Sequence, residues 1–136
     1  MKTIDLTISR TIDASPEEVC NAWLDPKKFA TWMMGAQIIM NPVVDGLYFI
    51  NVDYKDRKWP HYGRYLAIQP GKRVKQTWMS ESTHGLESIL DVGFEPNGTK
   101  CNLTIRHTGL PDDNDGRQHE QGWNEIADLI VKQHAK

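Results

Sequence analysis

Cysteine, one-sided charge and long apolar runs are all scarce in this sequence, and each scarcity removes a class of protein. Only two cysteines occur in 136 residues, Cys20 and Cys101, and no C-x-x-C pair. Neither a disulfide framework nor a zinc-thiolate site is written into such a chain. Cys20 falls on an apolar helix face and Cys101 at the inward phase of a strand, so buried free thiols in a reducing cytoplasm are expected. A disulfide or a catalytic thiol is the alternative. The opening residues, Met1-Lys2-Thr3-Ile4-Asp5-Leu6, alternate polar and apolar. They contain no stretch of the length a signal peptide or a membrane span needs. A net charge of −2 gives no electrostatic reason to expect nucleic acid or an anionic membrane as partner. The basic clusters Lys55-Asp56-Arg57-Lys58 and Lys72-Arg73-Val74-Lys75 fall at predicted turns and read as solvated hairpin ends.

Catalytic signatures are missing too. There is no G-x-S-x-G elbow and no phosphate-binding glycine loop. His119-Glu120 opens like a zinc-protease helix, but Trp123 occupies the place of the second histidine. Asp113, Asp115 and Gly116 suggest a calcium loop, yet its first position would be Pro111 and its twelfth Gly122. No metal and no cofactor are expected.

What the chain does have is one amphipathic helix at its end. Trp123, Ile126, Ala127, Ile130 and Val131 recur at the spacing of a single buried helical face. From about Gln37 to Thr108 there are only short β-rich runs broken by Gly, Pro and Asn. One helix must therefore cover one face of a large antiparallel sheet, a layering that can hold a cavity. Ile4, Leu6, Ile8, Arg10 and Ile12 alternate as a half-buried first strand. Ser15-Pro16 and Asp25-Pro26 then each open a short helix, because Ser and Asp cap and Pro suits the first helical position. Tyr48, Ile50 and Val52 share a strand face, as do Val74, Gln76 and Trp78 on a later strand. Residues 55–60 form a polar hairpin, with a strand from about His61 to Gln69. Ser88, Leu90, Val92 and Phe94 alternate, as do Cys101, Leu103, Ile105 and His107, around the hairpin signal Pro96-Asn97-Gly98. Thr108 to Gly116 reads as a loop whose acidic end suits the positive start of the closing helix.

The run Ile8 to Val19, then Asp25-Pro26 and Trp32, resembles the opening of the START-like, helix-grip (SRPBCC) superfamily. Gly63-Arg64-Tyr65-Leu66, Thr77-Trp78, Phe94 to Thr99, His107-Thr108-Gly109-Leu110 and Gly122-Trp123 narrow the likeness. Together they resemble the branch named after the activator of the 90-kDa heat-shock protein ATPase. The resemblance spans nearly the whole chain and rests on the order and spacing of these motifs. It implies an α+β helix-grip fold: a curved seven-stranded antiparallel sheet, two short helices, and a long C-terminal helix enclosing a cavity. It also implies binding of apolar or aromatic small molecules, while some superfamily members are cyclases, dehydratases or hydrolases of aromatic compounds. Cys20 and Met33 stand where the family commonly has tryptophan, and Asp45-Gly46 where a Gly-Gly pair is common. These changes reshape one wall of the pocket.

Within this frame His107 is the sharpest candidate, either as a ligand-orienting group or general base, or as a structural histidine bonded near the last helix. Arg10, inward among apolar residues, would hold a ligand carboxylate or phenolate, or pair with an acidic neighbour. Trp32, Tyr48, Trp59, Trp78 and Trp123, with Met33, are candidate pocket walls or plain core. Gly122 costs helix stability and reads as room for close sheet approach or for ligand.

The expectation is a single domain over residues 1–136, cytoplasmic, that binds an apolar or aromatic small molecule. The alternatives are an enzyme using His107 in the same pocket, and a stress-response module contacting the chaperone. Monomer and homodimer both stay open.

Overall fold

The computed structural model describes residues 2–34 and 36–135. β1 (Thr3–Ile12) leads into two short helices, α1 (Pro16–Trp23) and α2 (Pro26–Trp32). Then come β2 (Gln37–Met40), β3 (Leu47–Tyr54), β4 (Arg57–Gln69), β5 (Arg73–Ser80), β6 (Ser88–Asn97) and β7 (Lys100–Pro111). α3 (Asn114–His134) closes the chain. The seven strands form one antiparallel sheet in the order β1-β7-β6-β5-β4-β3-β2. This is the helix-grip arrangement that the family resemblance implied.

Local chemistry sets the helix boundaries. Ser15 accepts from the Glu18 N–H at 3.1 Å, and Asp25 accepts from Lys27 at 2.9 Å, each just ahead of its proline. Asp113 caps α3 by accepting from the Gly116 N–H at 2.9 Å. A Cβ on Gly116 would fall 1.8 Å from the Pro111 carbonyl oxygen, so only glycine lets the first turn of α3 sit against the end of β7.

Three boundaries differ from the sequence reading, the smallest being the start of α3 at Asn114, inside the segment expected as a loop to Gly116. β7 continues through Pro111, where a loop from Thr108 was expected, because Ile4 and Thr3 pair with Leu110 and Pro111. Gly109, at φ +76°, absorbs the register shift in that pairing, and fully buried Leu110 anchors the strand beyond it. β4 starts at Arg57, not His61, because the polar hairpin closes in two residues. Lys55 and Asp56 both adopt positive φ, at 52° and 60°, the geometry of a turn whose twist matches its flanking strands.

The core lies between the sheet and the helices. Ile8, Ile12, Val19, Cys20, Trp23, Phe29, Leu103, Ile105, Ala127 and Ile130 are all buried. α3 packs on β1 and β7 at one margin of the sheet, α1 on β6 and β7, and α2 near β2. The middle strands are thus left open to a space between α3 and the β3–β4 hairpin. Both cysteines are buried free thiols, and burial pushes Cys101 up to about 11. No helix among the described residues is long and apolar enough to cross a membrane.

Candidate functional site

A cleft of about 380 Å³ lies between the first half of α3, the end of α2 and the β3–β4 hairpin. Its inner wall is made of Trp78 and Trp123, whose rings are 5.1 Å apart. Trp32 and Met33 close one side, and Trp59 stands at the mouth. Trp59 is held there by its Nε1–H on the Tyr54 carbonyl at 3.2 Å and by the Arg57 guanidinium 3.9 Å over its ring. Of the residues singled out in the sequence, the structure brings these five together around one space.

Three others stand elsewhere. Tyr48 lies behind the wall, its hydroxyl donating to the Thr77 carbonyl and its ring 6.4 Å from Trp78. Burial raises that phenol well above its ordinary range. Gly63 accommodates the ring, since a Cβ there would lie 2.3 Å from it. Arg10 faces α3 rather than the cleft. It donates to Asp128 Oδ1 at 3.0 Å and to Asn124 Oδ1 at 2.8 Å, so it fastens β1 to the closing helix.

His107 also sits behind the wall, fully buried. The Trp123 Nε1–H donates to His107 Nδ1 at 3.0 Å, which requires the imidazole proton on Nε2. Nε2–H then donates to Ser88 Oγ at 2.7 Å, and the Ser88 hydroxyl donates to the Trp78 carbonyl at 2.6 Å. Every polar group in this chain is satisfied. Burial, with His119 and His61 nearby, holds the imidazole down at about 3, so it stays neutral. Its two nitrogens are spent on holding the two tryptophan-bearing elements in place.

Two histidines that the sequence reading did not select do line the cleft: His61 and His119. His61 lies on β4 opposite Ile50, on the inward face, with its ring 4.9 Å from Trp78. Its Nδ1 bonds the Trp59 carbonyl at 2.8 Å. Burial takes it down to about 4, against the pull of the Trp59 and Ile50 carbonyls. His119 lies one turn before Trp123, bonded through Nδ1 to the carbonyls of Asp115 at 3.0 Å and Gly116 at 3.2 Å. Burial lowers its affinity for a proton as well. The inward helical phase Gly116, His119, Trp123, Ile126 was the available signal for His119; for His61 it was the alternation with Tyr65.

Gly122 also lines the cleft, and a Cβ there would meet nothing within 4 Å. Close sheet approach is therefore not its role, and the space beside it is open. One group among the described residues has the donor set of a cation site: His84, Asp113 and Asp115, with ligand atoms within 4.8 Å. It is already engaged as a clasp, His84 Nε2 standing 2.7 Å from the Asp113 carboxylate that caps α3.

Residues 13–134 match the family described as Activator of Hsp90 ATPase homolog 1-like protein. The chain belongs to that family. Among solved structures, protein CV1439 from Chromobacterium violaceum is 24% identical with a TM-score of 0.84, over 97% of each chain. An HSP90 activator from Plasmodium falciparum is 14% identical with a TM-score of 0.80, over 96% of this chain and 94% of that one. CalU16 from Micromonospora echinospora is 19% identical at TM-score 0.74, over 95% and 73%. These similarities show a shared fold. A search of curated proteins finds no match.

Proposed function

We propose that this member of the Hsp90-activator-like family binds an apolar or aromatic small molecule in the cleft between α3 and the β3–β4 hairpin. The observation that carries the reading is the cleft itself, about 380 Å³ bounded by Trp32, Trp59, Trp78 and Trp123 with Met33. Its size falls within the roughly 300–1,000 Å³ of ordinary ligand sites, and flat rings in its walls suit a flat guest. Burial of apolar surface, at about 25 cal/mol per Å², supplies the affinity. No part of this reading needs a metal or cofactor. An enzyme with His107 as base gains no support, since both its nitrogens are committed behind the wall.

The test is tryptophan fluorescence together with thermal shift across a panel of flavonoids, aromatic polyketides and lipids. Quenching with a raised melting temperature for one class supports the proposal, and a flat response across the panel rejects it. The family description favours a second reading, contact with the 90-kDa chaperone. Stimulation of the chaperone's ATPase by the purified protein would support it, and no stimulation at saturating protein would reject it.

A further inference from the structure

The cleft is mostly apolar, and two inward histidines, His61 and His119, line it alongside the more peripheral Ser82, Gln118 and Gln121. A backbone carbonyl only accepts, so each of these rings must hold its proton on Nδ1: His61 toward Trp59, His119 toward Asp115 and Gly116. In a neutral imidazole that leaves Nε2 as a bare acceptor. His107, by contrast, is locked in the opposite tautomer with both nitrogens in use.

We propose that His61 and His119 are the recognition pair of the cleft, and that they select an uncharged aromatic molecule bearing a hydroxyl, whose O–H donates to an imidazole Nε2. This rests on the small-molecule reading above and names the guest's chemistry.

The surroundings argue against a carboxylate or phenolate. Lys55 is the one cation among the described lining residues, and it sits on the exposed hairpin tip with its ammonium 5.4 Å over Tyr54. Asp115 and Glu125 line the same cleft and repel anions. Arg10 is committed to Asp128 and Asn124, and Arg57 to Glu81 and Trp59. Protonation of the pair would supply a charge, but burial opposes it. A hydroxyl is also an acceptor, and the same wall holds an unmatched buried donor, the Trp78 Nε1–H. The open space beside Gly122 lies one turn along α3 from His119, which leaves room for a ring against that acceptor. A guest that covers Nε2 without a donor leaves a buried acceptor unpaired, and that penalty separates a phenol from its methyl ether.

Calorimetric titration with 2-naphthol, 2-methoxynaphthalene and 2-naphthoate at pH 7.5 tests the assignment. The expected result is 2-naphthol binding about tenfold or more tighter than either of the others. His119→Phe should bring 2-naphthol down to the affinity of the ether while leaving the ether's own affinity in place. His119→Gln, whose side-chain carbonyl can accept, should keep part of the preference, and circular dichroism checks that both variants fold. Equal affinities for 2-naphthol and its ether, or tightest binding of 2-naphthoate, would overturn the recognition pair while leaving a small-molecule site intact. A preference that survives unchanged in both His119→Phe and His61→Phe would also overturn it. No binding of any of the three overturns this assignment, whereas a flat response to the broader panel removes the site itself.

Discussion

Trp123 donates its indole N–H to Nδ1 of His107 at 3.0 Å, and that bond decides the tautomer of the most buried histidine in the protein. It ties the first half of α3 to β7, and through Ser88 to the strand that carries Trp78. The inner wall of the cleft is therefore held by one continuous run of hydrogen bonds.

Breaking that run should cost stability first. His107→Ala leaves the Trp123 N–H without an acceptor and the Ser88 oxygen without its donor in a dry site, and opens a void. A loss of about 3 kcal/mol is expected in urea unfolding. An unchanged unfolding midpoint would show that the network does not hold the wall.

Acid should destabilise the fold in a defined window. His107 and His61 are held at about 3 and about 4 in the folded protein, and His119 is lowered too. Unfolded histidines titrate near 6.5. Above that pH both states are neutral and stability is full. As pH falls from about 6.5 toward 4, the unfolded chain takes up protons that the folded chain refuses, so stability drops. His107 alone contributes a slope of up to about 1.4 kcal/mol per pH unit. His119 and His61 are less deeply buried and add less, because some solvent reaches them. Urea midpoints at pH 7.5, 6 and 5 measure the slope, and His107→Phe should flatten it. A midpoint independent of pH in this range would contradict buried neutral imidazoles.

Gly122 offers a test that separates helix stability from cleft volume. Because nothing lies within 4 Å of its missing Cβ, Gly122→Ala should stabilise α3 by about 1 kcal/mol and raise the melting temperature. Gly122→Phe should place a ring in the cleft and reduce affinity for any aromatic guest at least tenfold (about 1.4 kcal/mol). Retained binding in Gly122→Phe would move the site elsewhere.

Arg10→Met should leave binding nearly untouched. The guanidinium faces α3, with its side chain 28% exposed and its partner Asp128 69% exposed, so the pair is worth about 1 kcal/mol or less. Chemical unfolding and calorimetric titration of the variant measure both quantities. Loss of ligand affinity in a folded Arg10→Met protein would restore this arginine as an anchor.

Periodicity made the sheet, the helix pair and the closing helix legible, because each buries one face and the period of apolar residues records which. The stretch Thr108–Pro111 misled because Gly109 and Pro111 are loop-forming types, while the pairing of Ile4 with Leu110 is a long-range fact no local pattern carries. His107 shows a subtler limit. Strand phase puts it inward, but phase does not say that Trp123 lies between it and the cleft. His119 is masked by Trp123: that residue takes the place of a second metal-binding histidine and empties the motif, yet the same helical phase puts His119 on the inner face. His61 opens the stretch read as a strand, whose inward phase is marked by one fully buried ring, Tyr65, with Gly63 between them offering no side chain to read.

The helix and the hairpin that flank the cleft are seated on different strands. α3 leans on β1 and β7, whereas the β3–β4 ribbon pairs with β2 and β5 and is tied by Arg57 to Glu81, just after β5. The helix and the ribbon thus hang from opposite sides of the middle strands, and the curvature of those strands sets the gap between them.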